Sequence, residues 1–171
     1  ERVPANVRRS FHAMSLDEVR ATFALVRPRR ADGEDRHYEV WFRGVHSNVG
    51  GGYPDDSLAY IPLVWIMKEA QTFGLKFKTI PNTPNNPDPD MMAFAEWRRD
   101  KDGRLYDSRN GLGGYYRYGP RRIADLSHMR FSLRAGDRVN NDRLPQIHAT
   151  AIIRAQRGAH RYAPIGIPHY Y

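Results

Sequence analysis

Val40-Trp-Phe-Arg-Gly-Val-His46-Ser-Asn-Val-Gly-Gly-Gly-Tyr-Pro54 runs from an apolar, aromatic stretch through a histidine into three consecutive glycines. Tyr38-Glu-Val-Trp-Phe42 has the β-branched and aromatic content of a short buried strand, and Gly44 is placed to stop it. Beyond the glycines, Asp55, Asp56 or Ser57 can cap a helix. Its apolar residues Leu63, Ile66, Met67, Ala70 and Phe73 recur at three- and four-residue spacing, and Gly74 can end it. Pro62 conflicts with a start at those caps, because a proline past the first turn costs a hydrogen bond and about 3 kcal/mol. The helix therefore starts later or bends there. A strand entering a helix through a glycine turn predicts an α/β fold. It sets His46 at a strand's carboxyl end, where such sheets collect functional side chains. Two readings of His46 stay open: a general base, whose ordinary pKa near 6.5 lets it take and return a proton, or a residue that only hydrogen-bonds the turn. An anion cradle is disfavoured, since no Gly-Lys-Ser/Thr or Gly-x-Gly-x-x-Gly pattern is present.

Upstream, Arg9 to Ala13 reads as a strand running into a helix that Ser15 caps, with Glu18 as the capping-box partner and an end before Pro28. Arg29 to Arg36, with Asp32-Gly33, is a loop. Downstream, Thr79 to Asp90 holds four prolines and three asparagines and is expected to be a long loop. A short helix follows from Met91 to Arg99, then a glycine- and tyrosine-rich loop from Gly111 to Pro120. Pro145 to Arg157 reads as a helix and Tyr162 to Pro168 as an extended tail. No repeat or low-complexity tract occurs, so one domain, or part of one, is the economical organisation.

The 171 residues are 40% hydrophobic and 12% aromatic, enough for a real core, while 14 glycines and 12 prolines imply much loop. With no cysteine, disulfides, thiolate nucleophiles and zinc ribbons are excluded. No run approaches the roughly 18 apolar residues of a membrane span. The start Glu1-Arg-Val-Pro lacks an initiator Met and a signal-peptide core, so the chain is expected to be cut from something longer. A net charge of +8 favours anionic partners without choosing among nucleic acid, lipid headgroups and acidic proteins. Only Lys68, Lys76, Lys78 and Lys101 among the 27 basic residues are lysine, and the arginines are spread rather than gathered into one block.

The segment around His46 resembles the Gly-Val-His-Ser-Asp-Val-Gly-Gly-Gly-Tyr signature of a bacterial and fungal α/β-hydrolase family. That family was long labelled a domain of unknown function and includes phospholipase effectors of the type VI secretion system. Phe11-His-Ala-Met-Ser-Leu-Asp-Glu18 with Phe23 resembles the family's segment ahead of the histidine strand. Asp107 to Arg121 and Tyr162 to Pro168 resemble its C-terminal segments. The resemblance implies an α/β fold in which residues 1–171 form the C-terminal portion of a single α/β-hydrolase domain, an incomplete sheet with flanking helices and long loops. It implies that His46 is the catalytic base, supported by the turn residues Gly44, Asn48, Gly50, Gly51, Gly52 and Tyr53. The family's Gly-x-Ser-x-Gly nucleophile and its aspartate lie earlier in the chain order, and neither is among these residues; Asp17 belongs to the Leu-Asp-Glu segment and is not that aspartate. Where the family usually carries aspartate two residues after the histidine, this chain has Asn48, which can still accept a hydrogen bond and cap the turn.

By the same resemblance the parent protein is a serine-dependent lipase or phospholipase and the isolated chain is inactive. The implied partners are the N-terminal section of the same hydrolase, a phospholipid or other ester, and an immunity or secretion-apparatus protein. Neither a cofactor nor nucleic acid is expected. The implied setting is a soluble protein of the bacterial cytoplasm, secreted into a target cell to act at its membrane. A cut sheet should leave Tyr38 to Phe42 with an unpaired edge, expose Val40, Trp41, Phe42, Ile66 and Met67, and favour self-association. The competing reading is a non-catalytic basic module that binds an acidic protein, anionic lipid or nucleic acid. Tyr115-Tyr116-Arg117-Tyr118 can stack on single-stranded nucleic acid but matches no RNA-binding signature. Asp88 and Asp90 read as helix caps rather than calcium ligands, and His128, His148 and His160 lack metal-ligand spacing.

Overall fold

A computed structural model of the chain describes residues 2–28, 35–78, 90–121, 123, 146–157 and 162–164. Strand β1 (Ser10–Ser15) lies parallel to β2 (His37–Phe42), paired from Ser10 with His37 to Ser15 with Phe42. On the other side of β2 is the two-residue strand β3 (Gln146–Ile147), also parallel, with Val40 opposite Gln146 and Trp41 opposite Ile147. The order β1-β2-β3 makes β2 the centre of the sheet. The expectation of an unpaired edge on β2 is thus corrected in part: a later strand pairs with it at Val40 and Trp41.

Alternation along β2 builds the core on both faces, as a parallel sheet requires. Val40 and Phe42 join Leu58 and Ile61 on one face, against Ala13 and Trp65. Trp41 and Met14 join Ile123 and Ala151 on the other. Trp41 and Phe42 are 2% and 1% exposed, so each contributes roughly 1.5–3 kcal/mol of burial. Val40 and Met67 are buried as well, and of the five side chains expected to be exposed only Ile66 is.

After β2 come the short helix α1 (His46–Gly50), α2 (Tyr60–Thr72), α3 (Met91–Arg98), a single 3-10 turn at Gly111–Tyr115, and α4 (Ala149–Gln156). In α2, Pro62 is the third residue, inside the first turn, where its missing N–H breaks no helical bond. Gly74 ends α2 with φ +85°, its N–H donating to Gln71 O while the Leu75 N–H donates to Ala70 O. The buried stripe of α2 is Ile61, Pro62, Val64 and Met67. Leu63, Ile66 and Phe73, expected on that stripe, are exposed. Asp90 caps α3 by accepting the Met92 N–H at 2.8 Å. Val64 and Met67 of α2 meet Met92 and Ala95 of α3 in a third apolar cluster.

Three further expectations are corrected or left aside. No helix forms over residues 16–28: the Leu16 and Asp17 N–H groups donate to Phe42 O and Gly44 O, and the Glu18 carboxylate is used in long-range contacts. The segment 145–157 is not one helix, since Gln146 and Ile147 pair with β2 and α4 begins only at Ala149. The proline-rich loop up to residue 89, the tail beyond Pro164, Asp88, His128 and His160 lie outside the described residues.

Candidate functional site

Gly44 opens the turn that carries His46. Its φ is +118°, and a Cβ there would sit 2.4 Å from the Asn48 Cβ, so only glycine fits. The Gly44 N–H donates to Asp17 Oδ2 at 2.7 Å. His46 is the first residue of α1 and is exposed. Its backbone N–H donates to Glu18 Oε2 at 3.1 Å, and its ring meets Phe23 edge-on with centroids 5.4 Å apart. Among the described residues no carboxylate is paired with the imidazole.

Glu18, fully buried, organises this corner. Its carboxylate accepts the Val19 and Arg20 N–H groups, the Arg20 guanidinium through Nε and Nη2, the His46 N–H and the Ser108 hydroxyl. Burial pushes the carboxyl up, but the bonds from the Arg20 side chain and from the Arg20 and His46 N–H groups outweigh it and hold the pKa at about 2. Glu18 is therefore an anion at every ordinary pH. Arg20 then lies 3.5 Å over the Phe23 ring, which ties the histidine's apolar neighbour to the same carboxylate.

Asn48, 1% exposed, fixes the other side of the turn. Its Oδ1 accepts the Val45 and Tyr106 N–H groups at 3.4 and 3.3 Å, and its Nδ2 donates to Arg104 O at 3.1 Å. The last bond needs an amide, because an aspartate carboxylate has nothing to donate to a carbonyl. Tyr53 stacks on Tyr106 with centroids 3.9 Å apart, and the Tyr106 hydroxyl accepts the Asp55 N–H. Gly50, Gly51 and Gly52 have no atom within 4 Å of a built Cβ, so they serve the turn's path rather than a close approach. Gly44, Asn48 and Tyr53 are thus brought into one structure around the His46 backbone, with the glycines on its outer side.

Sequence reading missed Glu18 as the anchor, the Arg104 to Ser108 segment as the far wall, and the pairing of Asp17 with the Tyr162 hydroxyl at 3.0 Å. Glu18 carried no signal of that role, since three residues after Ser15 it fits a capping box. The described residues contain no group of three His, Cys, Asp or Glu able to hold a metal. His148 instead caps α4, its Nδ1 facing the Thr150 N–H and hydroxyl, while its ring stacks on Phe42.

Residues 1–69 match the family model described as type VI secretion system phospholipase effector Tle1-like, catalytic domain. The uncharacterized protein YEL023C of Saccharomyces cerevisiae is 49% identical over 45 residues, which is 23% of this chain and 7% of that protein. The chain thus spans a small fraction of that relative's length. No solved structure matches the chain. No helix among the described residues is long and apolar enough to cross a membrane. Over residues 1–69, which carry β1, β2 and the His46 turn, the chain is similar to the Tle1-like catalytic domain of type VI secretion phospholipase effectors.

Proposed function

We propose that this chain supplies the general base of a serine-dependent phospholipase, with His46 as that base. The observation that carries the reading is the placement of His46. It opens α1 four residues beyond the carboxyl end of the central parallel strand, its backbone pinned by Glu18 and its ring exposed. A base must reach its partner's proton, and a pinned backbone with an outward imidazole meets that need. In the reaction, His46 takes the proton from a serine hydroxyl as the serine oxygen bonds to the ester carbonyl carbon. The imidazolium then protonates the leaving alcohol as the C–O bond breaks, and a water repeats the cycle on the acyl-enzyme.

The serine and the acid that orients the histidine come from another part of the protein, so residues 1–171 form the C-terminal section of an α/β-hydrolase domain. Its partners are the N-terminal section, a phospholipid ester and an immunity or secretion protein, and it acts at a target membrane. Reconstitution tests this. The 171-residue chain alone should hydrolyse no ester above background, and mixing it with the separately produced upstream section should give ester hydrolysis that disappears with His46→Ala. Activity of the chain alone that survives His46→Ala would place the site elsewhere.

A further inference from the structure

A cleft among the described residues lies apart from His46. It has a volume of about 550 Å³, and its walls come from the loop after β1, the end of β2, the 102–105 segment, Arg121, α4 and Tyr162. Arg43, Arg121 and Arg154 all line it. Arg43 and Arg154 are 5% and 4% exposed, and the Nε of all three arginines is buried with no hydrogen-bond partner among the described residues. Their other nitrogens are held chiefly by neutral oxygens. Arg43 donates to Lys101 O and Gly103 O, and Arg121 donates to Ser15 O, Ser15 Oγ and Phe23 O. Only Arg154 reaches a carboxylate, that of Asp102, which Lys101 also holds. Asp17, the other acid in the wall, accepts the Gly44 N–H and the Tyr162 hydroxyl instead.

Guanidinium groups largely withdrawn from water are costly unless an anion nearby answers their charge. The carbonyl bonds also fix each fork in place, so little side-chain freedom remains to be lost on binding. Three guanidiniums carried on separate segments suit the tetrahedral oxygens of a phosphate, and the cleft lies within the roughly 300–1,000 Å³ range of ligand pockets. We propose that this cleft binds a phosphate group, free or in the headgroup of an anionic phospholipid, between Arg43, Arg121 and Arg154. His46 is outside its walls, so binding does not depend on the base.

Phosphorus NMR of inorganic phosphate titrated with the 171-residue chain tests this, alongside sedimentation with phosphatidylglycerol or phosphatidylcholine vesicles. Phosphate should broaden on the wild-type chain and on His46→Ala alike, and Arg121→Gln should weaken binding about tenfold. Arg121→Lys, which keeps the charge, should lie between, and melting by circular dichroism checks that each variant folds. Binding of phosphate without vesicles assigns the cleft to free phosphate, and arginine-dependent binding of phosphatidylglycerol vesicles assigns it to a headgroup. No broadening on the wild-type chain together with no vesicle binding, or binding that a folded Arg121→Gln leaves unchanged, overturns the proposal.

Discussion

Glu18 shows how one side chain can hold a candidate catalytic residue without touching its ring. Six donors meet on its carboxylate, from its own loop, from the His46 backbone and from Ser108, 90 residues on. Replacing it with alanine should cost about 3 kcal/mol, since the Arg20 guanidinium, 13% exposed, loses its carboxylate. The pH dependence has a definite sign. With the folded pKa lowered to about 2, the stabilisation is present in full above the ordinary value of 4.5 and is lost as pH falls toward 2. Urea midpoints should therefore drop from about pH 5 to about pH 3, less steeply for Glu18→Gln than for the wild type. An equal slope in both would show that other carboxylates dominate acid unfolding. None of this was legible in the local sequence, where Glu18 three residues after Ser15 fits a capping box. The competing partners are Arg20, near in sequence, and Ser108 and His46, which only the fold brings near.

At the level of elements, β2 was readable because its aromatic and β-branched residues favour a strand and its burial on both faces demands them. Helix α2 was readable as a helix but not in its orientation. Its apolar residues form two adjoining stripes, and spacing alone does not decide which meets the sheet: Ile61, Val64 and Met67 turned in, while Leu63 and Ile66 turned out. Strand β3 was lost inside a helical pattern because two residues are too few for a period to register. Helix α4 has its own test. Burial, with the charge of Arg99 adding to it, lowers the His148 pKa below its usual 6.5, so the unfolded chain binds the proton more readily. The cap should thus weaken as pH falls below about 6.5. His148→Asn, which keeps an acceptor at the cap but does not titrate, should remove that part of the pH dependence in thermal melts. A wild-type melt as high at about pH 5 as at pH 7.5 would contradict it.

Over the whole molecule, several of the basic side chains behind the net charge of +8 tie separate segments together. Arg27 grips buried Glu39 through Nε and Nη2, Arg36 holds the carbonyls of Val3, Pro4 and Val7, and Arg20 holds Glu18. A planar fork that donates to several oxygens at once explains why arginine does this work. The loop replacing the expected helix between β1 and β2 is fastened to the sheet in this way, by Arg27 and by Arg121. With β2 at the centre, neither of its sides is a wholly bare edge among the described residues. The central claim, that this scaffold exists to present His46 to a serine and an ester, is tested most directly in the whole protein acting on phospholipid vesicles. The measurement is kcat of His46→Ala against wild type: a fall of several orders of magnitude, with the fold intact, is the expected result, and a loss of less than about tenfold would contradict the account.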